Sequence, residues 1–143
     1  MQLSCTSTAT QSVSHSVTLS LDKSQTWQLV AIQGRPIHSA TQSPSHAVTL
    51  IFNPEAGTAT GQSYCNSYTF RCTLKNPEQR LDGDYYDLEL TPWGSGTLNC
   101  PEADKNAEAR YLAFLSKASR LRLTATTLTL FRQDKEILHY ELR

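Results

Sequence analysis

The sequence predicts an α+β domain, a strongly curved antiparallel sheet or partial β-barrel with one packed α-helix. Three observations carry this. Short runs alternate apolar and polar residues along most of the chain, and turn-forming words rich in Gly, Pro, Asn and Asp separate them. A single stretch, after Pro101, instead places its apolar residues three and four apart. So many antiparallel strands with one helix must curve the sheet around that helix to bury both apolar faces.

The first alternation is Val17, Leu19 and Leu21 within residues 15–22, and the second strand candidate is Trp27-Gln28-Leu29-Val30-Ala31-Ile32. Gly34-Arg35-Pro36 closes it with a turn. Residues 39–45 read as loop. Val48, Leu50 and Phe52 form the next inward face, and Asn53-Pro54-Glu55-Ala56-Gly57 connects it as a hairpin to Thr58-Ala59-Thr60-Gly61. Strands follow at Tyr68 to Leu74 and at Tyr86 to Leu90, with turns expected at Asn76-Pro77 and Asp82-Gly83. Pro101 suits the first helical position, and Glu102 and Asp104 suit the positive end of the helix dipole. Ala107, Tyr111, Phe114, Leu115 and Ala118 make its apolar stripe. Three short strands close the chain, marked by Leu121 and Leu123, by Leu128 and Leu130, and by Leu138, Tyr140 and Leu142.

Bulk properties exclude several functions. The chain has 143 residues, the size of one domain, with 13 basic and 13 acidic side chains. A formal charge of zero provides no field to draw it onto nucleic acid, so no nucleic-acid partner is expected. No apolar run approaches the roughly 20 residues of a membrane span. No internal repeat is visible. Residues 1–14 read as a flexible Ser/Thr-rich tether and residues 15–143 as the single domain, expected to be a monomer.

The amino terminus lacks the charged and apolar regions of an intact secretory signal. Cys5, preceded by Leu3-Ser4 and followed by a polar tract, resembles the acylated junction of a bacterial lipoprotein. It is a candidate lipidation site and membrane tether, and equally reads as an ordinary tail cysteine. The spacing of Cys5, Cys65, Cys72 and Cys100 suits no zinc ribbon, so no metal is expected. With Cys5 in the tail, one bridge and one odd thiol is the simplest arrangement.

Several words of the sequence, in order, resemble the META domain (HslJ-like) family. They are Trp27-Gln28-Leu29, Gly34-Arg35-Pro36-Ile37, Val48 to Phe52, Gly61 followed by Cys65-Asn66-Ser67-Tyr68, Thr97-Leu98-Asn99-Cys100, the helix positions Tyr111 to Leu115, and Leu128-Thr129-Leu130. The match runs from Thr26 to Leu142. Tyr64 and Phe70 depart from it, standing where the family usually has Gly, and Cys72 lies outside the pattern. The resemblance implies the curved-sheet fold and an envelope, stress or virulence-associated protein without an established reaction. It also implies that Cys65 and Cys100 are close, as a disulfide fitting the cell envelope (periplasmic or outer-membrane-anchored). Two buried reduced thiols, or Cys72 paired with either, are the alternatives.

Catalytic chemistry has thin support. Cys100 precedes a helix amino terminus, which would lower a thiol pKa, but His15, His38, His46 and His139 stand in no nucleophile motif. No catalytic residue and no cofactor is expected, and His139 reads as solvent-facing. Asn66 reads as structural, able to take a left-handed backbone or tie a loop. Asp82, Asp84 and Asp87 read as a solvated turn. Trp93, in Pro92-Trp93-Gly94-Ser95-Gly96, is a candidate interaction loop, with the inward-folded position slightly favoured over exposure. The expected function is a non-catalytic, tethered envelope module that binds an unknown protein or small ligand. A carrier of small apolar ligands in a barrel pocket is the alternative, and a thiol redox protein or cysteine hydrolase stands behind both.

Overall fold

The structure, a computed structural model, describes residues 21–37 and 47–143. The strands are β1 (Trp27–Ile32), β2 (Arg35–Pro36), β3 (Thr49–Asn53), β4 (Thr58–Gln62), β5 (Ser67–Arg80), β6 (Gly83–Ser95), β7 (Arg120–Leu123), β8 (Thr127–Arg132) and β9 (Lys135–Leu142), with one helix, α1 (Glu102–Lys117), between β6 and β7. The strands pair antiparallel in the order β1-β3-β4-β5-β6-β7-β8-β9, and β9 pairs back onto β1. Between a curved sheet and a partial barrel, the molecule takes the further step of closing: eight strands form a complete ring, with the short β2 attached outside it to β1. Closure removes the unpaired edges that an open sheet would offer to other chains.

Alternation in sequence becomes inside and outside of the ring. Trp27, Leu29, Leu50, Phe52, Leu74, Tyr86, Leu121, Leu128 and Leu138 are all buried in one core. An eight-stranded ring is just wide enough for such side chains to fill it. From α1, Tyr111 and Leu115 enter the same core with no exposed surface. Pro101 caps the helix rather than opening it, its carbonyl accepting from the Asp104 and Lys105 amides.

Two expectations change. Asn76-Pro77 is not a turn. It is a bulge in a 14-residue β5, where the pairing jumps between Lys75 and Glu78 and Asn76 takes a φ of 53°. Proline lacks an amide proton for the ladder, so the bulge is where a strand accepts it. The early strand over residues 15–22 lies outside the described residues except for Leu21 and Asp22, which are not in a strand. The 39–45 loop, Cys5, His15, His38 and His46 also lie outside them.

Candidate binding site and the latch that supports it

Most of the family-motif residues form one structural latch. Cys65 and Cys100 are joined by a disulfide with a Cα separation of 6.0 Å, tying the loop after β4 to the residue preceding the helix cap. Beside the bridge, the carboxylate of Glu108 on α1 accepts hydrogen bonds from the Cys65 amide at 3.1 Å, the Asn66 amide at 2.7 Å and Asn66 Nδ2 at 2.9 Å. The Asn66 side chain faces the other way too, with Oδ1 accepting from the Leu98 amide at 2.8 Å. Asn66 thus clamps the 62–66 loop between the helix and the segment after β6. Its backbone is not left-handed, so the side-chain amide alone makes it suitable here. Partial burial pushes the Glu108 carboxyl up, but the hydrogen bonds from Asn66 and Cys65 outweigh it and hold the group below its ordinary range.

Tyr68 and Gly61 carry the latch into the barrel. The Tyr68 hydroxyl donates to the Thr49 carbonyl and is bonded to the Tyr111 hydroxyl at 2.8 Å, which is bonded to the Tyr140 hydroxyl at 2.7 Å. Burial first, then the interaction of Tyr68 with Tyr111 and of Tyr111 with Tyr140, pushes Tyr68 and Tyr111 well above the usual phenol range, so these hydroxyls stay neutral. A side chain at Gly61 would stand 1.9 Å from the Thr49 carbonyl oxygen and 2.7 Å from the Tyr68 hydroxyl. The glycine is there because β3 passes where a Cβ would be. Thr97, by contrast, is exposed. Phe70 fills core space edge-on to Tyr68 at 5.8 Å, and Tyr64 packs half-buried against the core.

The remaining cysteine corrects an expectation. Cys72 is buried and is itself disulfide-bonded, so no odd thiol is present among the described cysteines. Because Cys65 and Cys100 hold each other, neither pairs with Cys72, and the helix terminus has no thiol on which to act. His139 is half-buried rather than solvent-facing, its Nδ1 hydrogen-bonded to the Thr129 hydroxyl at 2.8 Å across the β8–β9 pair. Nor are the three aspartates simply solvated. Asp82 receives the Tyr85 hydroxyl and faces Arg122, Asp87 faces Arg120, and Asp84 is buried.

Trp93 lies not in a loop but near the end of β6, and it points outward with 58% of its surface exposed. Opposite it the ladder slips: Thr69 pairs with Gly94 and Phe70 with Pro92, leaving Trp93 as the extra residue of a bulge. The outward direction already follows from the alternation of β6, in which Leu88 and Leu90 face in and Glu89 and Thr91 face out. The Arg71 guanidinium stacks 4.4 Å from the ring centroid and props the indole on one side. On the other side is a cleft of about 400 Å³ between the end of the β5–β6 hairpin and α1, with Phe70 on the sheet side and Leu112, Ala113 and Ser116 on the helix side. The latch fixes both walls, since Glu108 holds the helix to the 62–66 loop and Gly96, just beyond Trp93, hydrogen-bonds to Ser67. An exposed, propped tryptophan over a mostly apolar cleft is suited to binding.

Comparison with known proteins agrees with this architecture. A protein structure solved by NMR is similar in fold, with a TM-score of 0.50 and 22% sequence identity, covering 85% of this chain and 91% of that one. No curated protein matches the chain. The family model of the META domain matches residues 17–143, nearly the whole length, and the chain belongs to the META domain family.

Proposed function

We propose that this chain is a non-catalytic, envelope-associated binding module that holds another protein by seating an apolar side chain in the cleft beside Trp93. The observation that carries the reading is the outward tryptophan itself. Exposing a large aromatic costs solvation free energy with no folding gain, and tryptophan is among the residues most often found at the energetic centre of protein interfaces. Barrel closure leaves little edge for adding a strand, so recognition falls to a side-chain cleft. An interior packed with Trp27, Phe52, Tyr68, Tyr111 and Tyr140 weighs against the small-ligand carrier. The bonded state of Cys65, Cys72 and Cys100 weighs against thiol chemistry and supports an oxidising compartment.

The test is site-specific photocrosslinking in the native host, with a benzophenone side chain at Trp93 or at Leu81, a fully exposed apolar position away from the cleft. A discrete protein adduct from position 93, absent from position 81 and abolished by Leu112→Glu in the cleft wall, supports the reading. Identical adducts from both positions, or none from position 93, overturn it.

A further inference from the structure

The other flank of α1 carries a second cleft of a different character. It is about 390 Å³ in volume and is lined by Lys117 at the end of the helix, Arg132 at the end of β8, Lys135 at the start of β9, the amides of Gln33 and Gln133, and Phe114. The end of α1 and the β8–β9 turn therefore bring three cations to one space, and no carboxylate lines it. None of the three cations takes part in an ion pair among the described residues. Of the acids beside them in sequence, Asp134 lines a neighbouring cleft with Arg80, Arg120 and Arg122.

Folding alone does not account for this arrangement. Lys117 suits the negative end of the helix dipole, but Arg132 and Lys135 are direct cross-strand partners, a like-charge pair that destabilises the hairpin it closes. Both glutamines occupy the left-handed region, Gln33 at φ 51° and Gln133 at φ 58°, where Gly or Asn is the usual residue. They are held there by the Gln33 amide donating to the Ile137 carbonyl and the Gln133 amide donating to the Ser119 hydroxyl. The left-handed backbone is what a two-residue hairpin turn asks for, but the like-charge pair opposes folding and marks a place shaped for an occupant rather than for stability.

We infer that this cleft binds a phosphate monoester, with Lys117, Arg132 and Lys135 around the phosphate and Phe114 against the group that carries it. Three cations exceed what a single carboxylate can use, whereas a phosphate monoester offers three terminal oxygens and close to two negative charges. The inference is independent of the Trp93 cleft.

The test is an NMR titration of the labelled full chain with inorganic phosphate against sodium chloride at matched ionic strength. Saturable shifts at the Gln33, Gly34, Gln133 and Lys135 amides are expected, weakened by about tenfold or more in Arg132→Gln. In the absence of phosphate the same variant melts higher than the wild type, because the repulsion is relieved. Vesicles of phosphatidylcholine with and without phosphatidic acid separate the sources. Sedimentation only with phosphatidic acid, competed by free phosphate, assigns a lipid headgroup, and no sedimentation with an intact phosphate titration assigns a soluble ester. Shifts that do not saturate, that spread equally to Arg80, Arg120 and Arg122, or that persist unchanged in Arg132→Gln overturn the inference.

Discussion

Replacing Glu108 by alanine removes the acceptor for two backbone amides and one side-chain amide while leaving the disulfide in place. Hydrogen bonds to a charged group contribute about 1.5 to 3 kcal/mol each when buried. Glu108 is only partly buried, so the low end applies and the three are not additive, giving a loss of about 3 kcal/mol. For a domain of this size that corresponds to a fall of roughly 10 °C in Tm. Glu108→Gln keeps one acceptor oxygen for the amides but turns an NH2 group toward Asn66 Nδ2, and it costs about half as much. The pH dependence separates charge from shape. The folded carboxyl lies below its ordinary value of 4.5, so its stabilisation is complete above that value and is lost as pH falls through the lower folded value. Urea unfolding of wild type and Glu108→Gln is therefore expected to show a gap at neutral pH that closes in acid, once the pH has fallen below the lowered folded value. A Glu108→Ala variant within about 0.5 kcal/mol of wild type, or a gap unchanged in acid, would refute the latch.

Four other outcomes follow from the same geometry. Tyr111→Phe strands the buried Tyr140 hydroxyl and leaves Tyr68 with only its bond to the Thr49 carbonyl, and is expected to cost about 1 to 3 kcal/mol in denaturant unfolding, more than an exposed Tyr→Phe change. Gly61→Ala drives a methyl into the β3 backbone and is expected to cost about 3 kcal/mol or more, read by thermal melting. Cys65→Ser with Cys100→Ser opens a loop with a sequence separation of 35 and is expected to cost about 4 kcal/mol, beyond any effect of breaking the bond at Cys72. Trp93→Phe is expected to change stability by less than about 0.5 kcal/mol, yet it removes the iodide-quenchable part of the tryptophan fluorescence, since Trp27 has no exposed surface.

Alternation and turn chemistry made the strands and the helix legible in the sequence, because each depends on neighbours within a few residues. Barrel closure was less so. It depends on Trp27 meeting Leu142 and Ile32 meeting Leu138, pairings that no local pattern encodes. Glu108 escaped notice because a lone glutamate on a helix ordinarily faces water. Its signal was spacing: it stands three residues before Tyr111 and seven before Leu115, a carboxylate on the edge of the buried stripe. Trp93 misled in the opposite direction. Its glycine neighbours suggested a loop, but a strand runs through Pro92 and Gly94 by way of a bulge, and Trp93 falls on the outward side with Glu89 and Thr91. The separate positions of Gln33, Lys117 and Lys135 gave no hint of one cleft, because closure of β9 onto β1 is what brings them together.

The division of labour between motif and surface explains why family membership says so little about function. Gly61, Cys65, Asn66, Tyr68 and Cys100 make contacts that are spent inside the molecule: a backbone crossing, a disulfide, a clamp and a chain of phenols. Changing any of them damages the scaffold whatever the scaffold is used for. The groups left facing outward, Trp93 on one flank of α1 and Lys117, Arg132 and Lys135 on the other, are held in place by that scaffold but contribute little to it, and the like-charged pair opposes it. If the two proposed clefts bind as inferred, their specificity can vary without disturbing the latch. The same reasoning makes the two sites separable in experiment, since substitutions at Trp93 and at Arg132 leave the core, the disulfide and each other's cleft intact.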